Sequence, residues 1–343
     1  MKGIIDFTNA KLGYRDYGGS DSKLSIVYQG ENYMLKFPEE KTKNMDIQTS
    51  EANNVFSEYI GSHIMQMVGL PAHETMIGIY KGEPVVACKD FVPKRYRLQE
   101  FEWFSKNIFR KNELGRIPTY NQLYQTFNQN PRLNPIKEKG IQRYWDTFVV
   151  DALIGNFDRH RGNWGYLVNE DTGNIQLAPV YDCGSSLYPN LSEKSFQTIL
   201  NNPDEILKRI YVFPKAALNR TDNIEKVEKF GYFDLLSSDF DKNCCSSLKR
   251  IAPKIHLQEI NKMIDDTPLL SDKKKDFYKK MLQYRKELII DKSLELQIHR
   301  NCNKTEKMGL DDLLNELKKS NEKLNRSNEN PQKSFDINTW KHS

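Results

Sequence analysis

The chain lacks the features that mark several broad classes of protein. No uninterrupted apolar run approaches the ~18 residues of a membrane-spanning helix, and residues 1–6 contain no long apolar stretch like that of a signal peptide. The five cysteines form no C-x-x-C pair and show no Cys/His metal spacing. The sequence therefore predicts a cytoplasmic protein with reduced thiols and no membrane span. It leaves open export by a route that needs no signal peptide.

Net charge and chain length indicate which partners and how many lobes to expect. The 51 Lys and Arg residues against 46 Asp and Glu residues give a formal net charge of +5. This excess is too small to require a nucleic acid or a membrane surface as partner, and no direct nucleic-acid binding is expected. At 343 residues the chain exceeds the usual size of one hydrophobic core, so two lobes are expected.

Three polar residues in the middle of the chain carry the main chemical signal. Asp158 is followed five positions later by Asn163, and Asp182 begins an Asp-Cys-Gly turn. Phosphoryl transfer needs a carboxylate to receive the hydroxyl proton, and an amide oxygen and a second carboxylate to hold Mg²⁺ on the nucleotide phosphates. Protein kinases place these groups in a D-x-x-x-x-N loop and a later D-F-G turn. Each residue alone is more simply a backbone cap, but the three together predict a kinase that uses ATP and Mg²⁺.

The neighbouring segments give this loop a scaffold. Apolar residues spaced three and four apart predict a core-facing helix over residues 141–154, ended by Gly155. Residues 164–168 and 175–181 read as two strands of a hairpin, which would bring Asp158, Asn163 and Asp182 together at one end. His160 is expected to fix the loop by hydrogen bonding rather than to act as an acid or base. Arg159 either braces the loop or pairs with an acidic or phosphorylated group.

The N-terminal part supplies a phosphate-binding lysine. Residues 24–28 and 33–37 predict a strand, a turn and a strand, with Lys36 in the second strand. A surface lysine is the commoner case, but kinases carry their phosphate-binding lysine on such a strand. A helix predicted over residues 51–68 carries Glu58, which is expected to pair with Lys36 and orient it, with Glu51 as the fallback.

Two further segments complete a nucleotide site. Gly18, Gly19 and Ser20 lie one strand ahead of Lys36, where small residues let backbone N–H groups approach a phosphate. This is a weak signal, since such a run is often only a turn. Residues 84–91 predict an apolar strand that ends in a hinge, where backbone groups of Lys89, Asp90 and Phe91 are expected to bond the adenine edge.

The remainder of the chain shows no chemistry of its own. Residues 94–135 are expected to be helical, and amphipathic helices are expected after residue 189. The polar composition beyond about residue 301 predicts a flexible tail. The predicted organisation is thus an N-lobe at 1–92, a C-lobe at 93–300 and a tail at 301–343.

The motifs G-N-F-D-R-H-R-G-N-W-G and L-A-P-V-Y-D resemble those of the HipA-like family of bacterial serine/threonine kinases, and are most similar to its compact, CtkA-type members. In this order the histidine follows the catalytic aspartate, whereas in eukaryotic protein kinases it precedes it. Phosphatidylinositol kinases share the order and are the nearest competing class.

The resemblance implies several properties beyond those read from the residues. In HipA-like kinases a serine of the phosphate loop becomes autophosphorylated, which points here to Ser20 or Ser22. Full-length HipA proteins carry an extra N-terminal module that contacts a helix-turn-helix antitoxin. Here the phosphate loop lies close to Met1, so this chain has no room for that module and the antitoxin partnership is not expected from it alone. The alternative is that a neighbouring gene supplies it separately.

The sequence as a whole predicts an α+β fold with two kinase-like lobes, a small β-rich N-lobe and a larger, mainly helical C-lobe. The predicted function is an autophosphorylating serine/threonine protein kinase acting on a protein substrate. Two alternatives remain, a phosphoinositide or other small-molecule kinase and a pseudokinase that only binds.

Overall fold

The computed structural model describes residues 4–15, 23–38, 54–220 and 228–302. Its N-terminal part is a six-stranded sheet in the order β1-β5-β6-β4-β3-β2, in which β1 pairs parallel with β5 and every other pair is antiparallel. The strands are β1 Ile5–Asp6, β2 Lys11–Leu12, β3 Lys23–Tyr28, β4 Glu31–Lys36, β5 Thr75–Tyr80 and β6 Glu83–Lys89.

A tight turn fixes the register of the hairpin that carries Lys36. Gln29 and Gly30 both have positive φ angles, 50° and 82°, as a two-residue turn between twisted antiparallel strands requires. Tyr28 therefore pairs with Glu31 and Lys23 pairs with Lys36. The predicted strand–turn–strand is confirmed.

One helix packs on this sheet. Helix α1, Asn54–Met67, contacts β5 and β6 and buries an apolar stripe that includes Val55, Ile60 and Ile64. It also buries the polar side chains of Ser57, Glu58 and Ser62. Because buried polar groups need hydrogen-bond partners, this second face of α1 is expected to contact polar groups of neighbouring segments.

A second sheet supports the loop identified from sequence. Its strands are β7 Tyr96–Glu100, β8 Gly165–Asn169 and β9 Ile175–Leu177, all antiparallel in that order. The predicted hairpin is therefore observed as β8 and β9. The prediction that residues 94–135 are helical is wrong for β7, because that strand takes its hydrogen bonds from β8, far along the chain, and no local pattern reveals such a pairing.

Helix α4, Lys137–Ile154, lies directly before the loop. It buries Trp145, Val149 and Leu153 and ends at Gly155, whose left-handed φ of 66° provides the cap. The predicted helix and its end are confirmed, although it begins four residues earlier than expected.

The remaining described residues are mostly helical, which gives the fold its α+β character. The helices are α2 Phe101–Lys106, α3 Tyr120–Gln129, α5 Glu193–Leu200, α6 Pro203–Leu207, α7 Tyr232–Leu236, α8 Lys242–Ile251, α9 Leu257–Asp265, α10 Asp272–Arg285 and α11 Lys292–Cys302, with 3-10 turns at Lys111–Glu113, Pro131–Ile136 and Ala252–Lys254 and π segments at Lys208–Val212 and Lys286–Asp291. Among the helices in the described ranges, none is both long enough and apolar enough to cross a membrane. Residues 303–343, most of the predicted tail, lie outside the described part.

Candidate active site

A buried ion-pair network joins the two parts of the fold. Lys36, at the end of β4, places its Nζ 2.7 Å from Oε2 of Glu58 on α1 and 2.9 Å from Oδ1 of Asp182 after β9. The structure thus brings together three residues that sequence reasoning selected from separate segments. Glu51, the fallback partner, lies outside the described residues.

The second oxygen of Glu58 is also fully engaged. Glu58 Oε1 accepts hydrogen bonds from His73 Nε2 at 2.9 Å and from the backbone N–H of Cys183 at 3.0 Å. His73 Nε2 also lies 2.9 Å from Ser62 Oγ. Since an ionised carboxylate can only accept, the His73 proton must be on Nε2. Sequence reasoning missed His73, because nothing local to it signals contact with a helix.

Electrostatics keep this network charged. Burial alone would lower the pKa of Lys36, but the carboxylates of Asp182 and Glu58 outweigh it and hold that pKa well above its ordinary value. Burial opposes ionisation of both carboxyl groups, yet Lys36 holds the pKa of Glu58 and of Asp182 below their usual ranges. The charged ammonium of Lys36 is therefore held beside the ionised, partly accessible carboxylate of Asp182.

The loop after α4 positions Asp158. The Asp158 backbone N–H donates to Asn156 Oδ1 at 3.1 Å, and Asn163 Nδ2 donates to the Asp158 carbonyl at 2.8 Å. The amide nitrogen of Asn163 is thus used inside the loop, and its amide oxygen is the atom left to face a ligand. Burial raises the pKa of Asp158, although His160 and Arg116 act in the opposite direction.

Arg159 braces the loop, one of the two roles anticipated for it. Its guanidinium donates to both carboxylate oxygens of Asp151 on α4, at 2.9 and 3.1 Å. It also donates to the carbonyls of Asn163, Tyr181 and Asp182. One buried side chain therefore ties α4, the Asp158 loop and the Asp182 turn into a single rigid frame.

His160 holds the loop through its ring. Its Nδ1 accepts a hydrogen bond from the Gly162 N–H at 3.0 Å. Burial lowers the pKa of His160 and so favours the neutral ring, although Asp158 acts against this shift.

The Asp182 turn is strained and closely packed. Asp182 has a left-handed φ of 60°, which is uncommon for a residue other than glycine and concentrates at functional sites. Cys183, which stands where kinases commonly have Phe, is buried against α1, and a Cβ added at Gly61 would lie 2.7 Å from its Cβ. Burial raises the pKa of the Cys183 thiol to about 12, so this thiol is inert.

The hinge segment offers fewer donors than the sequence implied. The backbone N–H of Lys89 donates to Glu74 and that of Asp90 donates to Asn32, so both amides are used inside the sheet. Of the three hinge residues, Phe91 is the one whose backbone amide these two bonds do not use. The Phe91 ring stacks on Tyr181 with centroids 5.7 Å apart. Gly18, Gly19, Ser20 and Ser22 lie outside the described residues.

Comparisons with known proteins agree with this geometry. Residues 16–267 match the family model of the HipA-like C-terminal domain. The serine/threonine-protein kinase CtkA of Helicobacter pylori is 37% identical over 320 residues, which cover 91% of this chain and 95% of that protein.

Solved structures show the same fold. The crystal structure of a Helicobacter pylori proinflammatory kinase CtkA superposes with a TM-score of 0.80 at 35% identity, covering 87% of this chain and 98% of that one. A Shewanella oneidensis HipA, solved with HipB and operator DNA, shares the fold alone, with a TM-score of 0.50 at 18% identity over 82% of this chain and 67% of that one.

Proposed function

The chain belongs to the HipA-like C-terminal domain family, and we propose that it is an ATP-dependent serine/threonine protein kinase. The observation that carries the proposal is the convergence of Lys36, Glu58 and Asp182 beside the Asp158–Asn163 loop. The 37% identity to a protein named serine/threonine-protein kinase supports the same acceptor class.

Each residue has a role that follows from its surroundings. The Lys36 ammonium, held by two carboxylates, neutralises charge on the nucleotide phosphates. Glu58 holds Lys36 in place, and His73 holds Glu58. Asp158 orients the acceptor hydroxyl and takes its proton as the acceptor oxygen bonds to the γ-phosphorus of ATP, while the bond from that phosphorus to the bridging oxygen breaks and ADP leaves. His160 and Arg159 position the loop and do not touch the reacting atoms.

The donor atoms of this site suit a magnesium ion. Asp182 contributes a carboxylate and Asn163 an amide oxygen, and hard oxygen ligands are those that Mg²⁺ prefers. Asp182 and Asn163 would hold the ion, which supplies charge neutralisation on the transferred phosphoryl group when bound.

The direct test is phosphate transfer from γ-labelled ATP with Mg²⁺. Wild-type protein should become labelled or should label an added protein, whereas Asp158→Ala and Asp182→Ala should lower transfer by roughly 100-fold or more. Asp171→Ala is the matched control, because Asp171 pairs with Arg95 at the far end of the β8–β9 hairpin.

Two outcomes would contradict the proposal. ATP consumption that depends on Asp158 but leaves no label on protein would indicate a small-molecule acceptor, such as a phosphoinositide. ATP binding without any turnover would indicate a pseudokinase that serves as a binding module.

We also propose autophosphorylation of the phosphate loop at Ser20 or Ser22. A phosphate there would add about two negative charges where the nucleotide phosphates bind, so it should inhibit the kinase. Intact-protein mass spectrometry of wild type, Asp158→Ala, Ser20→Ala and Ser22→Ala checks this. Equal phosphate on wild type and Asp158→Ala would refute it.

A further inference from the structure

An exposed arginine contacts the carboxylate of Asp158. Arg116, in the segment between the Lys111–Glu113 turn and α3, places Nη2 2.9 Å from Asp158 Oδ2 and 2.7 Å from His160 Nε2. Its side chain is 68% exposed. The guanidinium therefore touches the catalytic carboxylate while most of its surface faces solvent.

The backbone that carries Arg116 is fixed by the catalytic loop itself. The buried guanidinium of Arg161 donates to the carbonyl of Gly115 and to Gln122 Oε1. Gln122 Nε2 in turn donates to the Glu113 carbonyl at 2.7 Å. Arg116 thus has a rigid base and a long, exposed tip, which suits a side chain that exchanges partners without moving the loop.

A second cation stands on the same frame. Asn219 forms isolated bridges with Thr119 on one side and with Lys229 on the other, and the Tyr120 N–H donates to the Asn219 carbonyl at 3.0 Å. Burial lowers the pKa of Lys229, and the negative charge of Asp158 acts against that shift. Asn219 thus lies between the segments that carry Arg116 and Lys229.

The contact between Arg116 and His160 is poorly matched. His160 Nδ1 already accepts from the Gly162 N–H, so the ring proton of a neutral His160 must be on Nε2. Arginine has only donors, and the 2.7 Å contact therefore sets one donor against another. The favourable contact of Arg116 is therefore its ion pair with Asp158, and ion pairs at the surface contribute little stability. An incoming anion would be a better partner for this guanidinium.

We propose that Arg116 is a specificity-determining residue that selects protein acceptors with an anionic side chain beside the serine or threonine. The anion is a carboxylate of Asp or Glu or a phosphorylated residue. It draws the guanidinium away from Asp158, and the freed carboxylate can then accept the hydroxyl proton. This inference rests on the proposed kinase activity, since it concerns the acceptor of that reaction.

The test uses peptides with a central serine in otherwise degenerate sequence, in which one flanking position at a time is fixed as Ala, Glu, phosphoserine or Lys. We expect wild-type kcat/KM to favour Glu or phosphoserine over Ala by roughly 10-fold or more at one position. That ratio should fall to within about threefold of unity in Arg116→Ala and should reverse in favour of Lys in Arg116→Glu. Arg95→Ala removes an exposed arginine paired with Asp171 and should keep the wild-type ratio.

The outcomes distinguish failure of the acceptor preference from failure of the proposed kinase activity. Transfer to the Ala peptides without any acidic preference, or a preference that survives both Arg116 variants, would overturn the inference and leave the kinase assignment standing. Transfer to no peptide, with Asp158-dependent ATP consumption intact, would overturn both. A response to phosphoserine but not to Glu identifies a previously phosphorylated protein as the acceptor and supports the proposal.

Discussion

Within the part of the chain that the structure describes, Lys36 forms ion pairs with both Glu58 and Asp182, so replacing it by Met removes the cation that they share. Methionine fills a similar volume, so the change mainly removes charge. Removing one partner of a buried ion pair typically destabilises a protein by about 3–5 kcal/mol, because the other charge is left buried and unpaired.

Two features of the site moderate this figure. Glu58 keeps its hydrogen bonds from His73 and from the Cys183 N–H. The Asp182 side chain is 34% exposed, so water can solvate part of its charge. We therefore expect Lys36→Met to lower the free energy of unfolding by about 2–4 kcal/mol at pH 8.

The stability deficit of Lys36→Met should depend on pH, and the pKa of Glu58 sets the direction. In wild type the pKa of Glu58 lies below its usual range, so its stabilisation is present above the unfolded pKa and is lost only as the pH falls through the lower folded value. In Lys36→Met, burial without the ammonium should raise the Glu58 pKa above the unfolded value. The variant then loses stability as the pH rises, and its deficit relative to wild type should be larger at pH 8 than at pH 5.

Thermal unfolding at pH 5, 6.5 and 8 measures this deficit. Lys89→Met is the control, because the ion pairs of Lys89 within the described residues lie at the surface and are long, at 3.7 and 4.0 Å. Adding Glu58→Gln to Lys36→Met should recover part of the loss, since it removes the unpaired charge. A deficit that does not change with pH, together with no recovery in the double variant, would refute the reasoning.

Two further predictions concern the frame of the site. Gly61→Ala should push α1 away from the Asp182 turn, because the new Cβ would lie 2.7 Å from the Cβ of Cys183. We expect phosphate transfer to fall about 10-fold. The gain in helix propensity should limit the loss of stability to about 2 kcal/mol. Transfer assays and melting temperatures check this, and Cys183→Gly added to Gly61→Ala should restore transfer if the contact is the cause. Arg159→Lys keeps the charge but loses the two-pronged contact with Asp151, so it should destabilise the protein by about 2–4 kcal/mol; a melting temperature within a degree of wild type would contradict the bracing role.

The parts of the site that could be predicted from sequence are those encoded by neighbouring residues. The β3–β4 turn, the cap at Gly155 and the Asp158–Asn163 spacing all depend on residues close together in the chain. Helical periodicity placed Glu58 on α1, and kinase geometry then suggested Lys36 as its partner.

The parts that could not be predicted depend on contacts between distant segments. His73 lies outside any motif and meets Glu58 only because the chain before β5 returns to α1. Strand β7 exists because β8 supplies its hydrogen bonds. Arg116 sits in a segment with no regular pattern, and its position depends on the buried guanidinium of Arg161. Such contacts are set by tertiary packing rather than by local preference.

The central claim is that Asp158 acts on the acceptor hydroxyl rather than on nucleotide binding. Single-turnover transfer of γ-phosphate from pre-bound ATP, measured for wild type and Asp158→Asn with the ATP dissociation constant of each, tests this most directly. The account predicts a dissociation constant within about threefold of wild type and a transfer rate lower by roughly 10²- to 10⁴-fold. A transfer rate within about threefold of wild type, or a loss explained entirely by weaker ATP binding, would contradict it.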